Sequence, residues 1–287
     1  MSVLAGLVTG LLGVRLLRVF TDQAFRHQAL ARENYRGRRV PSGAGVLIVL
    51  TVLMVEAGRV VVGAVLEQGT VPSTSLPRTL VLVAALGFGL LGLWDDLLGD
   101  SHDSGFRGHL RALAAGRLTT GGIKLVGGGA LALVVVAPVA ADALRWLVAD
   151  ALVVALAANL ANLLDRAPGR MLKVGLLAYL PLMLTAGAGA VGAAIAPVVG
   201  AAAGLLPDDL RERAMLGDCG ANVVGGCLGL GAVLTLGSVG IVVLLGVLVA
   251  LNLASEAVSF SRVIERVDVL RALDQAGRDV TWDDTQA

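Results

Sequence analysis

The chain has 287 residues, of which 56% are hydrophobic and 16% charged, with a net charge of +1 and a mean hydropathy of +0.82. That composition excludes an ordinary soluble enzyme and points to a polytopic membrane protein. The near-neutral balance gives no support to nucleic-acid binding through bulk charge, and the two cysteines, Cys219 and Cys227, share one apolar stretch and read as packing residues.

A helix needs about 20 apolar residues to cross the ~30 Å hydrocarbon core. On that measure the sequence predicts nine spans, at 2–20, 43–66, 79–94, 122–140, 144–164, 172–188, 189–206, 220–237 and 239–258. The first runs directly into RVFTDQAFRHQ with no small-residue cleavage site, so it reads as a retained helix. Only the neighbourhood of Gly187 separates the sixth from the seventh. The abundant glycine and alanine suit helices that pack closely in lipid.

Nine spans put the termini on opposite sides of the membrane. Of the 23 Lys and Arg, all but Arg59, Arg78 and Arg145 then fall on one side, and so do all but Glu56, Glu67, Asp142 and Asp150 of the 22 acids. The positive-inside rule makes that side cytoplasmic, with the N-terminus outside and the C-terminus inside. The predicted fold is an all-α membrane protein in which 1–260 form one transmembrane domain. Residues 261–287 form a cytoplasmic amphipathic helix and a polar tail.

Four motifs fall on the cytoplasmic side. The first loop reads ENYRGRRVPSGAG, with Asn34, Arg36, Arg38 and Arg39 ahead of Pro41, Gly43 and Gly45. Its glycines would let backbone N–H groups approach a ligand and its arginines suit phosphate, although the same residues make a plain positive-inside anchor. The second loop opens WDDLLGDSHDSGFRGHLRALAAGR. Adjacent carboxylates such as Asp95 and Asp96 serve a divalent cation or a proton transfer, or simply a solvated helix end. His102 and His109 have no second ligand near enough in sequence for zinc and read as solvated.

The third motif, ANLANLLDRAPGR, repeats Asn159, Asn162 and Asp165 every third residue. On a helix these fall on nearly one face, either a functional surface or a polar helix contact. The fourth, MLGDCGANVVGG, sets Asp218 between Gly217 and Cys219–Gly220 at the mouth of the eighth span. Such a turn can present a carboxylate and N–H groups together to a phosphate–metal cluster, or merely cap a helix. All four motifs share one membrane face, which predicts one composite site. Asp150, a turn or two inside the fifth span, reads as an interfacial acid. Val263, Ile264, Val267, Leu270 and Leu273 share one face of an amphipathic helix predicted over 262–278, and the closing DVTWDDTQA reads as disordered.

Pro-x-Gly-x-Gly at 41–45, the aspartate pair at 95–96, NxxNLxD at 159–165 and LGDxGxxxxGG at 216–226 occur in the order seen in polyprenyl-phosphate N-acetylhexosamine-1-phosphate transferases. The chain resembles that superfamily over roughly residues 30–262. The resemblance implies a Mg²⁺-dependent enzyme, with Mn²⁺ as a substitute, in a bacterial cytoplasmic membrane with its site facing the cytoplasm. It would transfer a sugar-1-phosphate from a UDP-N-acetylamino sugar to a polyprenyl phosphate such as undecaprenyl phosphate, releasing UMP, in envelope glycan synthesis. By motif matching Asp218 would be the direct metal ligand, and Asp95 and Asp96 would hold the diphosphate–metal cluster or deprotonate the lipid phosphate. Asn159, Asn162 and Asp165, with Gly217 and Gly220, would line the nucleotide–phosphate pocket, and Lys124 or Arg107 and Arg111 would hold the lipid phosphate. A homodimer through membrane helices is compatible with the composition, and no motif fixes one.

Three departures from the family pattern matter. RAPGR at 166–170 replaces a Gly-Leu-Asp-Gly-like run, no histidine follows His109, and no tenth span follows the ninth. They argue against a muramoyl-pentapeptide donor. Beside the transferase stand two alternatives, a catalytically weak paralogue that binds lipid phosphate or nucleotide sugar, and a membrane transporter. A transporter would place polar groups near mid-membrane. The presence of Asp95, Asp96, Asp165 and Asp218 favours activity.

Overall fold

The computed structural model describes residues 1–25, 27–66, 73–98, 120–140 and 143–278. Arg107, Arg111, His102, His109 and the 279–287 tail lie outside the described residues. In chain order the elements are α1 Val3–Phe20, α2 Asp22–Phe25, a 3₁₀ turn Gln28–Leu30, β1 Ala31–Glu33, β2 Arg39–Pro41, α3 Val46–Leu66, α4 Leu76–Leu98, α5 Thr120–Val136, α6 Leu144–Leu164, α7 Arg170–Ala186, α8 Ala190–Leu210, α9 Gly217–Val233, α10 Ser238–Ala257, α11 Phe260–Arg266 and α12 Asp268–Gln275. A helix thus lies on each of the nine apolar segments, with ends displaced by no more than about a turn.

Long apolar runs form helices because a helix bonds every interior peptide group within itself, which lipid demands. Among the described residues six are long and apolar enough to cross a membrane: α1, α3, α4, α6, α8 and α10. The protein is an all-α membrane protein. Helices α5, α7 and α9 have 17 residues each. Helix α9, rich in glycine, is the hub. It packs mainly on α6 and α4 and also on α3, α7 and α8, and most of its residues are buried. Helix α8 is buried against α1. Helix α10 is peripheral, with only Ile241 and Leu248 buried.

Successive long helices alternate in direction. The ends of α4, α6, α8 and α10 and the starts of α5, α7 and α9 therefore gather at one end of the bundle. At the other end Glu56, buried in α3, accepts from Arg78 Nη1 at 2.5 Å and Arg59 Nε at 2.8 Å. Two of the three basic residues at that end, Arg59 and Arg78, thus share one carboxylate.

Two local expectations are corrected. Residues 31–41, read as loop, form a β-hairpin pairing Ala31 with Pro41, Arg32 with Val40 and Glu33 with Arg39. Its turn is built by Asn34, whose Oδ1 accepts the N–H groups of Arg36 at 3.0 Å and Arg38 at 2.9 Å. The amphipathic helix predicted over 262–278 is two helices, broken where Val267 is extended at φ −103° and ψ 111°. Beyond the break, Asp274 of α12 pairs with Arg170 at the start of α7 at 2.8 Å.

The amides of Ala44 and Gly45 are not offered to a ligand. The Gly45 N–H donates to the Leu216 carbonyl at 2.8 Å and the Ala44 N–H to Met215 at 3.1 Å. These bonds bring the entry to α3 against the entry to α9, where a Cβ on Gly45 would overlap the Gly220 backbone. Gly45→Ala is expected to cost roughly 1–3 kcal/mol, the range for overpacking a tight contact. Gly246→Ala is the control, since a Cβ there meets nothing within 4 Å. Thermal unfolding of both variants in one detergent checks this, and equal midpoints would refute it.

Candidate functional site

The site begins with Asp96 in the last turn of α4. Its Oδ1 accepts the Asp218 N–H at 2.9 Å and its Oδ2 the Cys219 N–H at 3.0 Å. The first amides of a helix have no partner within it, and a carboxylate satisfies both these groups and the positive end of the helix dipole. The fit requires glycine at 217. Its φ is +74°, and a Cβ would lie 2.7 and 2.8 Å from the two Asp96 oxygens. Of the Gly–Asp–x–Gly amides expected to face a phosphate, those of Asp218 and Cys219 bind Asp96 and that of Gly217 bonds Asp165 instead.

With its backbone held, Asp218 turns its carboxylate to the Lys124 ammonium, brought in by the first turns of α5. Asn162 of α6 completes the group. In the amide orientation that satisfies both neighbours, it donates to Asp218 Oδ1 at 2.6 Å and accepts from Lys124 Nζ at 2.8 Å. Asp95 Oδ2 lies 3.7 Å from the same ammonium. The structure thus unites Asp95, Asp96, Lys124, Asn162 and Asp218, from four helices. Lys124, assigned by resemblance to the lipid phosphate, is paired with Asp218.

Asn159 is not part of the group. It is exposed, and its amide donates to Asn252 Oδ1 of α10 at 2.7 Å. Residues three apart drift by about 60° per step around a helix, so Asn159 and Asp165 sit about 120° apart. Asn159 is a polar helix contact, Asn162 faces the carboxylates, and Asp165 caps α6 at the cleft floor. Asp165 is half-buried. Desolvation first, then the charges of Asp209, Asp218 and Asp96, push its pKa well above the ordinary carboxylate range.

Beside this group lies a cleft of about 740 Å³, lined by Ser42, Asp96, Asp165, Gly217, Asp218 and other residues of 33–35, 163–168, 209–215 and 255–261. Gly220 lies outside the cleft, buried against Gly45. Among the described residues its ionisable lining is acidic: Glu33, Asp96, Asp165, Asp209, Glu212 and Asp218 against Arg166. A polyanion enters such a cleft with cations beside it.

The carboxylates expected to bind metal divide in two. Among the described residues no group of three or more His, Cys, Asp or Glu is arranged to hold a metal ion. Asp96 has both oxygens on amides. Asp95 and Asp218 remain, flanking one ammonium. Mg²⁺ is commonly held by one or two carboxylates together with substrate phosphates and water; of this pair Asp218 lines the cleft and Asp95 lies behind it, across the Lys124 ammonium.

Asp209 and Glu212 escaped the sequence reading. Asp209, buried at the end of α8, accepts the Gly169 N–H at 2.7 Å and the Leu216 N–H at 3.3 Å, so one carboxylate ties together the loops that carry Asp165 and Asp218. Glu212 accepts from Asn34 Nδ2 at 2.6 Å and pairs with Arg36 Nε at 3.3 Å, which docks the hairpin turn. The available signal was Asp208–Asp209, a second adjacent acid pair at a helix end.

Comparison with known protein families finds no match, and comparison with curated proteins finds none.

The Asp165 shift has a measurable sign. A carboxyl with a raised folded-state pKa stabilises the fold while protonated, and that stability is lost as pH rises from the ordinary carboxylate range through the raised value. Asp165→Asn is therefore expected to raise the unfolding midpoint at about pH 8, with the gain shrinking towards about pH 4. A gain of the same size at both ends, or a loss at the higher pH, would contradict this.

Proposed function

We propose that the protein is a membrane phosphoglycosyl transferase that moves a sugar-1-phosphate from a UDP-N-acetylamino sugar to a polyprenyl phosphate. One observation carries this reading: Asp95, Asp96, Asn162 and Asp218, from three of the motifs, converge with Lys124 beside one large cleft at a single end of the bundle. A non-bridging oxygen of the lipid phosphate attacks the β-phosphorus of the donor. A new P–O bond forms, the bond to the bridging oxygen of the α-phosphate breaks, and UMP leaves with that oxygen. Mg²⁺, or Mn²⁺ in its place, held by Asp95 and Asp218 would screen the diphosphate charge when bound.

The chain's own residues have distinct tasks. Asp96 fixes the turn that aims Asp218. Asn162 orients the Asp218 carboxylate, and Lys124 balances the charge of Asp218 and Asp95. Asp165, with its raised pKa, is suited to hold or pass a proton at the cleft floor. An apolar cavity of about 400 Å³ between α6, α7, α9 and α10 reaches Leu164 and Met171, the neighbours of Asp165 and Arg170, and suits an isoprenoid chain. In this reading all nine long helices cross a bacterial cytoplasmic membrane and the cleft faces the cytoplasm, because all but three of the 23 Lys and Arg lie on that side. The position of Lys124, already neutralising Asp218, favours a binding-only paralogue as the second reading.

The test is UMP release from a panel of UDP-sugars by purified protein with Mg²⁺ and undecaprenyl phosphate. Release with one donor is expected, lost with EDTA and reduced more than about a hundredfold in Asp218→Asn. Saturable binding of nucleotide sugar or lipid phosphate without release would move the assignment to the paralogue. Neither binding nor release would overturn both.

A further inference from the structure

Residues 255–261 form one wall of the cleft, contributing Ser255, Val258, Ser259, Phe260 and Ser261. This segment follows α10, the peripheral helix, and leads into α11, in which no residue is buried. Helix contacts therefore do little to fix it. What holds it is polar. Arg170, buried at the first position of α7, donates Nη1 to Ser261 Oγ at 2.8 Å. The same guanidinium makes a two-pronged bond to Asp274 of α12, Nε to Oδ1 at 2.8 Å and Nη2 to Oδ2 at 3.0 Å.

The anchorage extends on both sides of Arg170. Lys173 Nζ donates to the carbonyls of Leu273 at 2.8 Å, Asp274 at 2.6 Å and Ala276 at 3.1 Å, closing the C-terminus of α12. Arg278 pairs with Asp274 at 2.7 Å and donates to the Pro168 carbonyl at 3.0 Å. The receptor of the tail is thus 168–173, which begins inside the RAPGR run where the chain departs from the family pattern.

We propose that Arg170 is a positioning residue for the substrate cleft: by joining Ser261 to Asp274 through one guanidinium, it makes the docked α12 a support of the cleft wall at 255–261. This rests on the transferase reading only for its kinetic consequence. The coupling itself is a property of the fold, and α12 docking and wall order rise and fall together.

The test uses the full chain in lipid nanodiscs. Hydrogen–deuterium exchange is followed at 255–261 and 268–278 in Asp274→Asn, which keeps the shape of a half-buried side chain and removes its charge. Arg271→Gln is the control, because the Arg271–Asp268 pair lies on the exposed side of the same helix. Exchange is expected to rise about tenfold in both segments of Asp274→Asn and in neither segment of the control. The exchanged pair Arg170→Asp with Asp274→Arg is expected to restore part of the protection. A rise confined to 268–278, or an equal rise in Arg271→Gln, would overturn the proposal. With a donor that turns over, KM for the nucleotide sugar is expected to rise about tenfold in Asp274→Asn while kcat is kept, since the wall binds and does not react. A fall in kcat at constant KM would count against it. If no donor turns over, the exchange result still decides the coupling, and only the transferase reading fails.

Discussion

The candidate site depends on a single carboxylate. Asp96 accepts two amides at the start of α9, the helix around which the others pack. A charged group at the end of a membrane helix is costly unless it is solvated or fully bonded. Here it is bonded by groups that also need a partner, so each offsets part of the other's cost. The bond demands close backbone approach, and the glycines supply it: Gly217 beneath the carboxylate, Gly92 against Cys219 and Gly45 against Gly220. The direction of the Asp218 side chain, and so its meeting with Lys124 and Asn162, follows from that anchor.

A second junction is the loop between α6 and α7. Asp165 reaches the cleft floor, the Gly169 N–H bonds Asp209, the Pro168 carbonyl accepts from Arg278, and Arg170 takes Ser261 and Asp274. Within six residues the loop lines the cleft itself and bonds two of its other walls, at Asp209 and at Ser261. The RAPGR run at 166–170 is therefore an organised junction of the fold. Its proline and arginine are engaged with the α11–α12 segment that follows α10.

Much of this was legible in the sequence, for specific reasons. Apolar length is a strong signal, so a helix lies on each predicted segment. Charge asymmetry and the motif order placed Asp95, Asp96, Asn162 and Asp218 on one face, and they do converge. What was not legible depends on partners distant in sequence. Asn159 and Asn162 look alike in the repeat, and only Asn252, 93 residues away, separates their roles. The hairpin at 31–41 is three residues per strand, too short for an alternating pattern to register. No glycine or proline marks the break at Val267 in the sequence, and the Arg170–Asp274 pair beyond it joins residues 104 apart.

The arginines of the first loop, which the sequence left open between phosphate binding and a plain anchor, bear on the chemistry. Their number and setting suit a phosphate, yet those with described partners serve the fold. Arg32 caps α4 by donating to the carbonyls of Asp96 and Leu97, both at 3.0 Å, and Arg36 binds Glu212. Further along the chain, Arg170 and Arg278 converge on Asp274. Among the described residues the cleft is left with Arg166 against six carboxylates. On the proposed reading such a site would disfavour a bare diphosphate. Positive charge would then arrive with the substrate as a bound cation, or come from Lys124 if it leaves Asp218. Either way Asp95 and Asp218 would be vacated or filled in step with binding, and the cleft would favour a metal–diphosphate complex over the free anion.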